Sequence, residues 1–222
     1  STNCPTNGYY CLDTAAQANG PAISSDASGN ASNRGFTGGG QIGYNWQFGQ
    51  YIFGAEADVN TLNISNSVGG SRIAPVGAGW RYSASAGSDA DWLVTLRARA
   101  GITVQGNILL YVTGGLAIAD VDVHNIYTDN NTGGRVATGS GGSGASTTSE
   151  TKVGGTIGGG IEWGFARNWT IKGEYLFVDL GTVNTTAVVS NIPVTGAGFG
   201  NNLSSSTDFS MHVARIGLNY KF

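Results

Sequence analysis

Apolar and polar residues alternate along several short segments, and this alternation limits what the chain can fold into more than any other feature. Successive side chains of a β-strand point to opposite faces, so a period of two predicts strands with one apolar and one polar face. In one segment, Val94 and Leu96 share a face while Arg97 and Arg99 share the other. The pattern predicts an all-β chain with seven strands, at 35–47, 51–60, 91–104, 108–119, 153–165, 169–180 and 210–222.

The connections between these strands alternate between short and long. Short connections, which contain the turn residues Gly or Asn, lie at 48–50, 105–107 and 166–168. Long connections of about thirty residues, rich in Ser, Thr, Asn and Gly, lie at 61–90, 120–152 and 181–209. Loops that long are uncommon in a compact soluble domain, whereas membrane barrels combine short periplasmic turns with long external loops. The chain is therefore predicted to be an antiparallel up-and-down transmembrane β-barrel.

Alternation alone does not say which face points inward, because a soluble barrel would show it with the apolar face inside. Charged residues make up 11% of the chain, against about 25% in a typical soluble domain, which favours a lipid-facing apolar surface. The polar faces carry both signs of charge in near balance. The predicted lumen charge network consists of Glu56, Asp58, Arg97, Arg99, Glu162, Lys172, Glu174, Arg215 and Lys221.

Aromatic residues cluster near the short turns and the C-terminus, which is where the interfacial girdle of a membrane barrel lies. The predicted girdle consists of Trp46, Tyr51, Trp163, Phe165, Trp169, Tyr220 and Phe222. The apolar strand segments are about ten residues long, which is enough for a tilted strand to cross a bilayer. These features predict an integral membrane barrel in which residues 1–222 form a single domain.

The number of predicted strands leaves one edge of the barrel unpaired. Bacterial single-chain barrels have an even number of strands, and closure leaves no free edge in lipid. We therefore expect eight strands, with residues 1–34 as the first external loop and the first strand ahead of Ser1. Two alternatives stay open: part of 120–152 or 181–209 (for example Thr186 to Val194) supplies the eighth strand, or a neighbouring chain donates it.

Cys4 and Cys11, the two cysteines of the chain, lie in the predicted first external loop. A zinc site needs about four ligands, so a local disulfide formed in an oxidising compartment is the favoured interpretation. Two unrelated reduced thiols are the alternative. No metal site and no cofactor is predicted.

Six segments carry a family pattern: 35–46 (GFTGGGQIGYNW), 53–58 (FGAEAD), 92–101 (WLVTLRARAG), 110–117 (LYVTGGLA), 168–181 (NWTIKGEYLFVDLG) and 213–222 (VARIGLNYKF). They resemble the small alphaproteobacterial outer-membrane proteins often called porin-like. The resemblance implies an eight-stranded barrel in the outer membrane of a Gram-negative bacterium, with roles in envelope structure, limited permeability or surface exposure. It also implies that the outer-membrane assembly machinery reads the ending at Phe222.

The interior of an eight-stranded barrel is just wide enough for its own side chains to fill. The predicted lumen charges would then pair as a structural network, because unpaired charges there are costly. We therefore predict a structural or surface-exposed outer-membrane barrel. The alternative is a narrow-channel porin for small solutes, with a path lined by Arg97, Arg99 and Arg215. Gly158 and Gly160 on the inward face either leave space for water or relieve crowding.

Candidate catalytic residues are few. His124 and His212 are the two histidines, and Asp120, Asp122 and Asp179 are predicted at the same outer rim. No nucleophile motif accompanies them, so this signal is weak and the protein is predicted not to be an enzyme. The net charge of −3, without a basic stripe, predicts no nucleic-acid partner.

The predicted external loops and outer rim are mildly acidic, and we expect them to meet outer-membrane lipid and lipopolysaccharide. The acids are Asp13, Asp26, Asp89, Asp91, Asp120, Asp122, Asp129, Glu150, Asp179 and Asp208, and the bases are Arg34, Arg72, Arg81, Arg135 and Lys152. The apolar loop residues are Ile73, Val76, Trp80, Tyr82, Val188, Val189, Ile192, Val194 and Phe199. Such residues either pack into a folded cap or form a surface for a homo-oligomer.

Overall fold

The computed structural model describes residues 2–3, 19–26, 28, 35, 37–74, 81–130, 141–190 and 200–222. The elements in these ranges are β1 (Thr2–Asn3), α1 (Asn19–Asp26), β2 (Thr37–Phe48), β3 (Tyr51–Ile73), β4 (Arg81–Val104), β5 (Ile108–Asp129), β6 (Ser143–Gly164), β7 (Trp169–Ser190) and β8 (Gly200–Tyr220). Within the described residues, no helix is long and apolar enough to cross a membrane.

The strands form one antiparallel sheet in the order β1-β8-β7-β6-β5-β4-β3-β2. Consecutive strands from β2 to β8 are therefore neighbours, as an up-and-down barrel requires. The turn between β4 and β5 contains Gln105 and Gly106, both with positive φ (52° and 74°), and such turns match the twist of the strands that they join. The predicted all-β, antiparallel up-and-down fold with eight strands is confirmed.

Strands β3 to β8 are much longer than the alternation predicted. β4, for example, has 24 residues, whereas about 9–11 suffice for a strand to cross a bilayer. The prediction that 61–90, 120–152 and 181–209 are loops is wrong, because most of their described residues extend the strands on either side. For the same reason, the described residues of 120–152 and 181–209 do not supply a separate eighth strand. The extensions resemble loops in the sequence because their outward side chains are polar rather than apolar.

The polarity of the sheet inverts partway along the strands. We call residues 37–60, 94–119, 153–178 and 211–222 the lower half, and residues 61–74, 81–93, 120–130, 141–152, 179–190 and 200–210 the upper half. In the lower half the outward side chains are mostly apolar, such as Leu116, and the inward ones include buried charges, such as Arg97. In the upper half the outward side chains are mostly Ser, Thr, Asn and Asp, while inward ones such as Val121 are apolar and buried. The lower half is therefore built for lipid and the upper half for water.

The boundary between the halves coincides with irregularities in strand pairing. The register shifts between Thr61 and Ile64 in the β3–β4 pair, and between Ala90 and Leu93 in the β4–β5 pair. A third shift, between Asp179 and Gly181, lies in the β7–β8 pair. Such β-bulges bend and twist a strand locally, so the sheet changes its path where its surroundings change.

The two long edge strands of the sheet, β2 and β8, approach each other. The Gln41 side chain in β2 donates a hydrogen bond from Nε2 to Oδ1 of Asn219 in β8, so the sheet is rolled. β1 pairs with the upper end of β8 through Thr2–Leu203 and Asn3–Asn202. The expected strand ahead of Ser1, and its donation by a neighbouring chain, stay predictions.

Candidate functional site: the lumen and the barrel surfaces

The lower lumen contains an ion-pair network centred on Glu56 and Asp58 of β3. The Arg97 guanidinium lies 2.6 Å from Glu56 Oε1, 2.7 Å from Asp58 Oδ2 and 3.1 Å from Glu174 Oε2, and its side chain is 0% exposed. Alternation along β3 and β4 points these side chains inward, and the register pairs Glu56 directly with Arg97. One arginine therefore neutralises carboxylates from two walls of the barrel.

The network continues across the lumen to β7 and β8. Lys172 Nζ lies 2.7 Å from Glu56 Oε1. Arg215 Nη2 lies 2.6 Å from Glu174 Oε2 and 3.1 Å from Asp58 Oδ2. Because Arg215 and Asp58 belong to strands near opposite ends of the sheet, this pair ties the rolled sheet together. Charge-assisted hydrogen bonds of this length are among the stronger ones in proteins.

The remaining lumen charges lie toward the lower turns. Arg99 Nη1 lies 3.3 Å from Glu162 Oε2 and 3.4 Å from Glu56 Oε2. Lys221 Nζ lies 3.7 Å from Glu162 Oε1, and its side chain is 57% exposed at the lower rim. All the residues of the predicted lumen charge network thus take part in ion pairs, although Lys221 is at its exposed margin.

Several neutral partners of this network were missed in the sequence. Tyr111 donates from its hydroxyl to Glu174 Oε1 at 2.9 Å, and the Arg99 guanidinium lies 5.3 Å from the centre of the Tyr111 ring. Thr95 donates to Asp58 Oδ2 at 2.7 Å, and Asn45 accepts from Arg99 Nε at 2.8 Å. In the alternating segment 108–119, Tyr111 occupies a position that faces the lumen. This position could have identified Tyr111 as a partner of the lumen charges.

Gly158 and Gly160 make room for lumen side chains rather than for water. A Cβ atom at Gly160 would lie 2.6 Å from the Tyr111 hydroxyl, and one at Gly158 would lie 2.7 Å from Leu176 Cδ2 and 2.1 Å from the Tyr175 carbonyl oxygen. Both glycines therefore permit close packing of the lumen.

An apolar layer lies directly above the ion pairs. It is made of Leu62, Ala90, Leu93, Ala117, Ala119, Val121, Val123, Leu176, Val178, Leu180, Val183 and Val213, with Phe209 and Met211 packed against it. This layer spans the boundary and the base of the upper half. It places a hydrophobic core inside the barrel where the wall is polar outside, as in a soluble barrel.

The upper end is covered by α1 and two tyrosines. Asp26 of α1 accepts a hydrogen bond from the Tyr82 hydroxyl at 2.7 Å and pairs with Arg72 Nη2 at 2.8 Å. The Tyr82 and Tyr127 rings stack with centres 6.5 Å apart. The prediction that Tyr82 belongs to an external loop is wrong, because it lies in β4 and is only 1% exposed. We call Tyr82 and Tyr127 the roof.

Deprotonation of Tyr82 should weaken this roof. Burial, and then the hydrogen bond to Asp26, raise the pKa of Tyr82 to about 12, above the usual value of about 10. The folded state holds this proton more tightly than the unfolded state, so its contribution is complete below pH 10 and is lost between about pH 10 and 12. The difference in absorbance at 295 nm between wild type and Tyr82→Phe should therefore titrate with a midpoint near pH 12. A midpoint near pH 10 would contradict the observed contact.

The predicted girdle residues lie at the lower end of the barrel wall and are exposed. The Trp169 and Tyr220 rings contact edge to face with centres 5.1 Å apart, and Tyr220 contacts Phe222 in the same way. Trp163 and Phe165 form a further pair at 6.1 Å. Trp46 and Tyr51 are likewise exposed at the turn between β2 and β3. Rings with an apolar body and a polar tip suit the headgroup depth of a bilayer.

The histidines do not form the predicted rim pair with Asp120, Asp122 or Asp179. His124 Nδ1 instead lies 3.5 Å from Asp89 Oδ2, and the His212 ring bonds the Tyr175 hydroxyl at 2.6 Å. In the parts of the chain that the structure describes, no three His, Cys, Asp or Glu side chains are grouped to hold a metal. Cys4, Cys11, Asp13, Arg34, Val76, Trp80, Arg135, Ile192, Val194 and Phe199 lie outside the described residues, so the disulfide stays a prediction.

An antiparallel up-and-down sheet with an apolar, aromatic-edged lower wall and an ion-paired lumen defines the class of integral outer-membrane β-barrels. Residues 8–222 match the family described as outer membrane protein beta-barrel domain. The chain belongs to this family.

Two relatives are the 31 kDa outer-membrane immunogenic proteins of Brucella melitensis and Brucella suis. Each is 35% identical over 191 residues, which cover 85% of this chain and 67% of the relative. A 22 kDa outer membrane protein of Rhizobium leguminosarum bv. viciae is 32% identical over 143 residues, covering 64% of this chain and 52% of the relative. No solved structure matches. The resemblance to small alphaproteobacterial outer-membrane proteins is confirmed, and the protein is integral to the outer membrane.

One pair of substitutions tests where the membrane ends along β5. Val112 and Ile126 are both exposed on the outward face, but Val112 lies in the lower half and Ile126 in the upper half. Val112→Arg should lower the free energy of unfolding by about 2–4 kcal/mol, the cost of arginine near the bilayer midplane. Ile126→Arg should change it by no more than about 0.5 kcal/mol. Urea unfolding in lipid vesicles measures both changes in the free energy of unfolding. Equal losses would show that the membrane boundary does not lie between Val112 and Ile126.

Proposed function

We propose that the protein is a structural and surface barrel whose lumen is sealed and whose upper half carries a folded surface away from the membrane. The observation that carries this proposal is the pair of layers that fill the lumen one above the other. The lower layer is the ion-pair network around Arg97, and the upper one is the apolar layer that includes Leu93 and Val121.

Each layer opposes ion flow for a different reason. In the lower layer, Lys172 and Arg215 are held by carboxylates at 2.6 to 2.7 Å, so they are not available to attract a passing anion. In the apolar layer an ion would lose its hydration without gaining a ligand, which is how hydrophobic constrictions close channels. A permeant solute would have to displace both layers.

Planar-bilayer recordings separate this proposal from the narrow-channel porin. We expect no discrete current steps from the wild-type protein after insertion, which heat-dependent gel migration of the same sample verifies. A conducting porin in the same bilayers serves as the positive control. The alternative, a path lined by Arg97, Arg99 and Arg215, predicts anion-selective steps. Reproducible steps from the wild type would refute the sealed lumen.

Membrane lipid and the assembly machinery are the partners that this function requires. The outward apolar side chains of the lower half meet lipid tails, and the upper half meets the lipopolysaccharide headgroups. Phe222 is fully exposed at the end of the chain, which supports its recognition during assembly. The word immunogenic in the Brucella relatives' descriptions is consistent with a surface-exposed upper half. No catalytic, cofactor-dependent or nucleic-acid-binding role is proposed.

Self-association through the outer end is a second part of the proposal. Ile73 and Val188 are 54% and 59% exposed in the upper half, and exposed apolar side chains favour contacts between molecules. Tyr82 does not contribute, because it is buried in the roof. Sedimentation in mild detergent should show an oligomer that Ile73→Ser with Val188→Ser dissociates. If the wild-type protein is a monomer at every concentration, self-association through the outer end is refuted.

A further inference from the structure

Between the apolar layer and the roof, the side of the lumen formed by β5, β6 and β7 carries uncharged polar side chains. We call Asn125, Ser146, Thr148 and Thr185 the polar layer. On β5, Asn125 lies one inward position above Val123 and one below Tyr127. On β7, Thr185 lies between the buried residues Val183 and Ala187. On β5 and β7, the polar layer therefore lies between apolar or aromatic side chains above and below.

Asn125 has an unsatisfied hydrogen-bond donor in this layer. It is only 1% exposed, and among the described residues its side-chain Nδ2 has no hydrogen-bond partner. A buried amide without a partner costs free energy, so such groups in folded proteins are usually satisfied by a bound molecule or water. Asn125 Nδ2 therefore needs an acceptor that the surrounding side chains do not supply.

The wall beside this layer has a break in backbone pairing. β6 and β7 pair at Ser143–Ser190 and again from Gly155–Asp179 onward, and no backbone pairs join 144–154 to 180–189. Side chains bridge this break, which we call the seam. Ser146 Oγ and Thr148 Oγ1 each lie 2.9 Å from Thr185 Oγ1, and Lys152 Nζ donates to the Thr182 carbonyl oxygen at 3.1 Å.

The seam offers a lateral path to Asn125. Ser146 is directly opposite Asn125 in the β5–β6 register, and the small Ala86 is opposite it on β4. Ser146, Thr148 and Ala86 face inward yet remain partly exposed, so they lie between solvent and the buried Asn125 side chain. Opening the seam requires rotation of hydroxyl side chains and displacement of one lysine, without breaking a ladder of backbone hydrogen bonds.

We propose that the polar layer binds a small uncharged molecule with an apolar body and a carbonyl or ether oxygen, which enters through the seam. The oxygen accepts from Asn125 Nδ2, and the apolar body lies between the Val123 and Val183 side chains and the roof. The ligand is uncharged because none of the four side chains of the polar layer carries a charge. A charged ligand would be buried without a counter-ion.

The test uses 7-methoxycoumarin, a neutral fluorescent lactone, with the full chain in lipid nanodiscs. Saturable binding at one site per barrel is expected, above the signal of empty nanodiscs. Asn125→Asp keeps the size of the side chain but replaces the donor with an acceptor, so it should weaken binding at least tenfold. Asn63→Asp, on the exposed outward face of β3, is the matched control and should bind as the wild type does. Coumarin-3-carboxylate, which carries a charge on the same ring system, should bind at least tenfold more weakly.

The outcomes decide both the site and its entrance. No saturable binding, or equal binding by wild type and Asn125→Asp, would overturn the site and leave a trapped water as the partner of Asn125. A disulfide between Ser146→Cys and Thr185→Cys should slow coumarin association at least tenfold, and reduction should restore it. An unchanged rate would overturn entry through the seam. Coumarin binding and its association rate do not depend on conductance. The sealed-lumen proposal can therefore fail while the proposed ligand site stands.

Discussion

Replacing Arg97 by alanine should lower the free energy of unfolding by about 3–5 kcal/mol, the cost of removing one partner from a buried ion-pair network. Arg97 is fully buried and contacts Glu56, Asp58 and Glu174, so the substitution leaves three carboxylates facing one another with less compensation. Equilibrium unfolding in urea, followed by tryptophan fluorescence in lipid vesicles, measures the loss.

Arg167→Ala provides the control for this experiment. Arg167 is exposed in the turn between β6 and β7, so its removal should change the free energy of unfolding by no more than about 0.5 kcal/mol. Arg97→Lys keeps one charge but loses the planar fork that reaches three carboxylates, and should fall between the two. A loss below about 1 kcal/mol for Arg97→Ala would mean that the network does not stabilise the lower lumen.

Val121→Asp should destabilise the upper half by about 4 kcal/mol or more, because it places an unpaired charge inside the apolar layer. Val121 is fully buried among that layer's side chains. Ser83→Asp, on the exposed outward face of β4 in the same half, should cost no more than about 0.5 kcal/mol. Hydrogen exchange of the β5 amides, together with urea unfolding, measures the destabilisation caused by each substitution. Similar, small effects of both substitutions would show that the upper half has no hydrophobic core.

The fold of the lower half could be predicted because its two faces differ so strongly. In β4, apolar residues such as Leu96 oppose Arg97 and Arg99, and only a strand explains that alternation. The partners of these charges could not be predicted, since the contact of Arg215 with Asp58 depends on how a whole rolled sheet brings distant strands together.

The upper half was missed although its alternation is visible in the sequence. Val121, Val123 and Tyr127 alternate with Asp120, Asp122 and His124, which is again a period of two. The apolar members, however, face inward rather than outward, and the polar members are residue types that are also common in loops. The contacts of α1 could not be predicted, because Asp26 is held by Tyr82 and Arg72 from distant strands.

The inversion of polarity along the strands also fixes the barrel against movement across the membrane. Pulling it toward the periplasm would drag Asp91, Asp120 and Asp179 on the outer wall into hydrocarbon. Pushing it outward would expose the lipid-facing side chains of the lower half to water. The upper half therefore resists movement toward the periplasm, and the lower half resists movement outward. The depth of the barrel in the membrane is therefore fixed from both sides, by the polar outer wall of the upper half and by the affinity of the lower wall for lipid.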